Sequence, residues 1–225
     1  MINVLEELNN LKSEKHKNFS ENITKNCHPM LGVPIPKLRE LAKQISKLDF
    51  LEFLNSNPMK YYEEVVLQGL VIGYAKFEPE LKFEYLKNFI SQIKDWSQCD
   101  TVVSSLKFFN KNLKQTYQFL EPYFNSEKEF EKRFAIISYM DYFFNDEFFK
   151  IVLERLTNVN SVHYYVNMAV AWAISVAFVK NFDLTLKYFK NSNINNFTFN
   201  KTIQKCVESF RITPEQKQLL KTLKK

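Results

Sequence analysis

Apolar positions fall into helix-periodic segments separated by prolines. Five segments are apolar nearly all round: Tyr61–Ala75, Asp100–Asn110, Phe130–Phe143, Tyr164–Phe178 and Asn200–Phe210. More one-sided partners lie between or after them, at Glu80–Ile90, Lys114–Tyr123, Asp146–Leu156, Leu184–Lys190 and Pro214–Leu223. Ile2–Lys15, Pro36–Ser46 and Phe50–Ser56 complete a reading of about twelve helices. Pro36 suits a first helical turn, and Pro58, Pro79, Pro122 and Pro214 mark starts or connections. Gly69 and Gly73 stand four apart inside a helical pattern, where each costs roughly 1 kcal/mol. A close helix contact accounts for them.

The apolar segments repeat. Aligning Leu67, Val103, Ala135, Ala169 and Ile203 gives offsets of 36, 32, 34 and 34 residues. A helix pair at that period predicts an all-α fold, an α-solenoid of about six antiparallel helix pairs in a single HEAT-like domain over residues 1–225. One helix of each pair then lines a concave surface.

Composition narrows the choices. With three Gly and seven Pro in 225 residues, the turn chemistry of an all-β sandwich and the glycine-rich phosphate loops are both missing. The 31 basic and 25 acidic residues leave a net charge of +6 and a pI near 9.0, a lean toward polyanions. Arg39, Arg133, Arg155 and Arg211 are the only arginines. Lys is over-used together with Asn, Phe and Ile, the mark of an AT-rich coding sequence, which discounts the charge. Cys27, Cys99 and Cys206 form no disulfide framework, and His16, His28 and His163 no zinc pattern. No metal and no cofactor are expected. The first fifteen residues do not read as a secretory signal, and no apolar run approaches a membrane span, so a cytoplasmic protein is expected.

Nucleophile elbows, P-loops and dinucleotide fingerprints are absent, which leaves a carboxylate as the natural catalytic group. Trp96 and Asp100, four apart, share one side of a helical first turn. Asp100 also reads as the N-cap of a helix beginning at Thr101, with Trp96 packed against the preceding repeat. Arg133 enters an apolar helix, where its planar fork suits either a phosphate or a buried carboxylate. Trp172 stands among alanines, either as an exposed platform or as core filling.

The order Trp96-x3-Asp100, then Arg133, then Ala169-x-x-Trp172 resembles the alkylpurine DNA glycosylases built from HEAT-like repeats, the DNA alkylation repair family. Leu31-Gly32-Val33-Pro34-Ile35-Pro36-Lys37-Leu38-Arg39 resembles that family's N-terminal segment, and Asn200–Lys205 its C-terminal repeat. The resemblance implies a catalytic carboxylate at Asp100 and sugar-flanking aromatics at Trp96 and Trp172. It also implies a phosphate contact at Arg133. The partner implied is duplex DNA containing alkylated purines, taken by a monomer with no membrane contact. A Tyr of the family that lines the lesion site falls on Ile23. Lys132, Lys201, Lys205 and Arg211 are candidate phosphate contacts along a concave face. Purines alkylated at N3 or N7 are cationic and leave without prior protonation, so one carboxylate suffices. Two other readings stay open: a non-catalytic DNA-binding relative, and a HEAT-like scaffold for a protein segment.

Overall fold

Short polar side chains set the helix starts. Asn3, Ser13, Asp49, Asn181, Asn195 and Thr213 each accept from the backbone N–H three residues on, and Asp95 accepts from Ser97 N at 2.8 Å. Each such cap contributes about 1 kcal/mol. The computed structural model describes residues 3–24 and 28–225, and among these every regular element is helical. The first half runs α1 (Val4–Leu11), α2 (Glu14–Ile23), α3 (Ile35–Ile45), α4 (Phe50–Ser56), α5 (Tyr62–Tyr74), α6 (Pro79–Gln92) and α7 (Trp96–Val103). A 3-10 helix over Lys107–Lys111 leads to α8 (Leu113–Phe124). The remainder is α9 (Glu129–Tyr142), α10 (Phe149–Leu156), α11 (Tyr164–Lys180), α12 (Phe182–Lys190), α13 (Asn196–Glu208) and α14 (Pro214–Lys221).

Three expectations change. The segment expected over Ile2–Lys15 is split, because Ser13 caps a new helix; Ile2 itself, like Cys27, lies outside the described residues. The segment expected over Asp100–Asn110 is not one helix. It starts earlier, at Trp96 behind the Asp95 cap, and stops at Val103, where the Ser104 and Ser105 hydroxyls both donate back to the Thr101 carbonyl. Pro122 lies inside α8 and not in a connection; in the last turn it forfeits a single backbone hydrogen bond, so the helix survives it.

The chain divides into two compact units, residues 1–119 and 120–225, with the division inside α8. In the first, α5 is buried on all sides from Tyr62 to Ile72, with α3, α4, α6 and α7 packed on it. The glycines expected to allow a close contact do so. A Cβ on Gly69 would meet Val102 of α7 at 2.4 Å, and one on Gly73 would meet the Ser105 carbonyl oxygen at 2.9 Å. Lys82 closes the end of α5, donating to the carbonyls of Ile72 (3.0 Å) and Ala75 (2.6 Å) between the rings of Phe77 and Phe108. Burial lowers its pKa to about 8.

In the second unit α11 is the central helix, buried along most of its length, with α9 and α13 on either side of it and α10 and α12 against it. Phe189 of α12 stacks on Phe199 of α13 with centroids 4.0 Å apart. Arg155 of α10 pairs with Glu121 and lies over Phe124, while Tyr139 donates to the same carboxylate at 3.0 Å. Among the described residues no helix is long and apolar enough to cross a membrane.

Gly69→Ala is expected to destabilise the protein by about 1–3 kcal/mol, since the added methyl overpacks the α5–α7 contact. Val102→Ala in the same chain should recover part of that stability in a urea double-mutant cycle. Lys82 gives a pH signature. Its folded pKa lies below that of the unfolded chain, so between about pH 8 and 10.5 the unfolded state binds more protons and stability rises with pH. Relative to Lys82→Met, the parent should gain about 1–2 kcal/mol in urea unfolding between about pH 7.5 and pH 9.5, given about 1.4 kcal/mol per pKa unit. A flat or falling difference contradicts that assignment.

Candidate active site

α7 is short and two-faced. Gln98, Cys99, Val102 and Val103 are buried, while Trp96, Ser97, Asp100, Thr101 and Ser104 stay partly exposed. Trp96, Asp100 and Ser104 follow at four-residue spacing, so they form one stripe along the outer side. Asp100 is therefore not the N-cap that its sequence context allowed. That role belongs to Asp95, and Asp100 stands in mid-helix with its carboxylate on the partly exposed side.

Both ends of α7 are tied to other elements of the first unit. At the start, Tyr62 Oη lies 2.8 Å from Ser97 Oγ, and Gln98 Nε2 lies 3.2 Å from His28 Nδ1. The pKa of His28 is lowered, first by burial and then by the charge of Lys94, which favours its neutral form. At the other end Arg39 of α3 donates to the Thr101 carbonyl oxygen (3.2 Å), Ser104 Oγ (3.1 Å), Ser105 Oγ and Tyr74 Oη (2.9 Å). A cation at a helix C-terminus also opposes its dipole. The segment before α3 is fixed by Glu63, whose carboxylate accepts from the backbone N–H groups of Leu31 (3.1 Å), Gly32 (2.7 Å) and Val33 (3.0 Å). Gly32 turns there at φ +93°, with no room for a side chain beside Lys17 and Ser13.

The Trp96 indole N–H donates to the Ile23 carbonyl oxygen at 3.4 Å, so the structure places Ile23 beside one of the predicted aromatics. The Ile23 side chain is 46% exposed, an aliphatic group at the position where the resemblance calls for Tyr.

In the second unit Trp172 is 38% exposed between two fully buried alanines, Ala171 and Ala173, which favours the platform over core filling. With Lys205 and Arg211 it lines a trough of about 340 Å³ between α11 and the end of α13. The Lys205 pKa is lowered, mainly by burial; Glu208 opposes the shift, and Arg133 and Lys201 add to it, so those groups share one neighbourhood. Arg133 itself is 5% exposed and donates to the Tyr165 carbonyl oxygen at 2.7 Å. Lys201 donates to Gln204 at 2.9 Å. Lys132 faces a different groove, lined by Glu127 and Glu154, so the structure does not bring it together with Lys201 and Lys205. The Cys206 thiol is pushed by burial up to about 12, which makes it inert.

Sequence reasoning did not assign roles to Arg39 and Glu63, the groups that hold the site in place. Arg39 carried a signal, as one of four arginines in a lysine-rich chain. Glu63 carried none, since nothing in one sequence links it to residues thirty positions earlier.

The chain matches the family model described as DNA alkylation repair enzyme over residues 4–210. No curated protein matches it.

Arg39→Gln should loosen the end of α7. Hydrogen exchange at the 101–106 amides is expected to speed up by about tenfold or more, the cost of removing charge-assisted bonds of about 1.5–3 kcal/mol. Unchanged protection would show that α7 does not need Arg39.

Proposed function

Because the chain belongs to the DNA alkylation repair enzyme family, we propose that it is a DNA glycosylase that excises cationic N3- or N7-alkylated purines from duplex DNA. The observation that carries the reading is the partly exposed Trp96–Asp100 pair, one turn apart on a helix pinned at both ends. A role in repairing alkylated DNA comes with the family; the reaction type and the residue roles are the proposal.

In the step proposed, the N-glycosidic bond breaks heterolytically and the base departs with the electron pair. Its own positive charge is thereby neutralised, so no general acid is required. Positive charge builds on the deoxyribose. An ionised carboxylate at ~4 Å stabilises it by about 4 kcal/mol at an effective dielectric near 20, which corresponds to about a thousandfold in rate. Water then adds at C1′ and loses its proton to solvent. Asp100 supplies the carboxylate and orients that water, and the Trp96 ring faces the cationic sugar. On the second unit the reading gives DNA contact to Trp172, with Lys205 and Lys201 as backbone cations and Arg133 adding charge from beneath them. Lys132 enters as a separate phosphate contact. The arrangement proposed for the whole chain is a single HEAT-like solenoid over residues 1–225 with a concave DNA-binding face. Support lies in the packing within each unit, where α5 touches α3 and α7, and α11 touches α9 and α13.

Ile23 favours a second reading, a relative that binds DNA without excision, because an aliphatic group beside Trp96 lacks the aromatic face of a Tyr.

Incubation with methylated duplex DNA is expected to release 7-methylguanine. Asp100→Asn should cut single-turnover release about a thousandfold while duplex binding persists. Salt-sensitive binding with no release from the parent would select the second reading, and full activity in Asp100→Asn would remove that residue from its role.

A further inference from the structure

The ends of three helices meet in the first unit around a groove of about 750 Å³. Lys43 lies in the last turn of α3 and Lys47 just beyond it, Lys76 follows α5, and Lys107 begins the 3-10 helix. Arg39 completes the lining cations, and among the described residues no carboxylate lines the groove. Helix C-termini do attract cations, but each presents only about half a negative charge. Three ends thus offset about one and a half charges, fewer than Lys43, Lys47 and Lys76 alone supply. Lys43, Lys47 and Lys76 are exposed and form no ion pair with any described carboxylate. The excess is a positive field facing solvent.

The groove also joins the α7 stripe. Ser104, which lines it, is one turn beyond Asp100 and on the same side of α7, about 6 Å along the axis. Arg39 holds the Ser104 hydroxyl in that place. DNA whose sugar meets Asp100 therefore has a cationic channel next to it in the direction of the helix axis. We propose that this groove is a phosphodiester-binding site that takes the DNA backbone flanking the damaged nucleotide, with Lys43, Lys47 and Lys76 as the contacting charges. Lysines suit it, as compact charges that fix backbone position without reading sequence. The inference rests on the reading that Asp100 meets the DNA sugar.

The test compares the parent with Lys43→Gln/Lys47→Gln/Lys76→Gln, using fluorescence anisotropy of a labelled duplex over a series of KCl concentrations. The slope of log affinity against log salt should fall by about 2–3, at about 0.9 for each phosphate that the variant leaves unneutralised, with thermal unfolding unchanged. The triple Lys→Arg variant should restore the slope. An unchanged slope in the Gln variant, or a lower melting temperature with the slope intact, overturns the site and returns the lysines to helix-end duty. Inorganic phosphate that binds the parent and not the Gln variant, while the two share one duplex affinity and slope, also overturns it, in favour of a small-anion site. A parent that binds no duplex at all ends the DNA reading itself; a parent that binds while the variant matches it ends only the groove.

Discussion

The contact on which the first unit depends is the approach of α5 to α7 at Gly69. No Cβ fits between that backbone and the Val102 methyls, so the two helices meet closer than any other residue would allow. The approach fixes which side of α7 is inward. Gln98, Cys99, Val102 and Val103 go to the core, and the opposite stripe of Trp96, Asp100 and Ser104 must face outward. A helix of eight residues would be marginal in isolation; here packing holds its sides and polar ties hold its ends.

Those ties matter for chemistry. A carboxylate that acts by electrostatics is useful in proportion to how well it is held before the reaction begins, since the charge it answers develops in place. Asp95, Tyr62 and His28 anchor the start of α7, while Arg39 anchors the finish. Glu63 serves the same end at one remove, gathering three backbone N–H groups of the segment that leads into the Arg39 helix. Under the proposed mechanism, these residues touch no substrate and act by keeping Asp100 in one position.

The second unit solves a different problem. α11 is apolar around most of its circumference and is covered on most of its sides, yet in mid-helix it carries the large ring of Trp172 to the surface. The alanines flanking Trp172 are wholly buried, so the small residues pack while the indole stands clear. Nearby, Lys205 is partly stripped of water and has Arg133 and Lys201 beside it, with Glu208 offsetting part of that positive charge.

Periodicity alone gave the helical class and most helix positions, because burial of a 3.6-residue stripe is a local property of the chain. The glycine pair announced its close contact for a similar reason: the cost of Gly in a helix has to be offset by something. The ordered Trp, Asp, Arg and Trp positions gave the family. The break after Val103, the cap at Asp95 and the tolerance of Pro122 were not legible, since each turns on which of several hydrogen bonds wins locally. Whether Trp172 was core or surface depended on what packed against its helix from far along the chain. Arg39 reaching Thr101, and Glu63 reaching Gly32, are contacts over tens of residues; only folding brings such groups within hydrogen-bond range, and so only the tertiary structure could decide them.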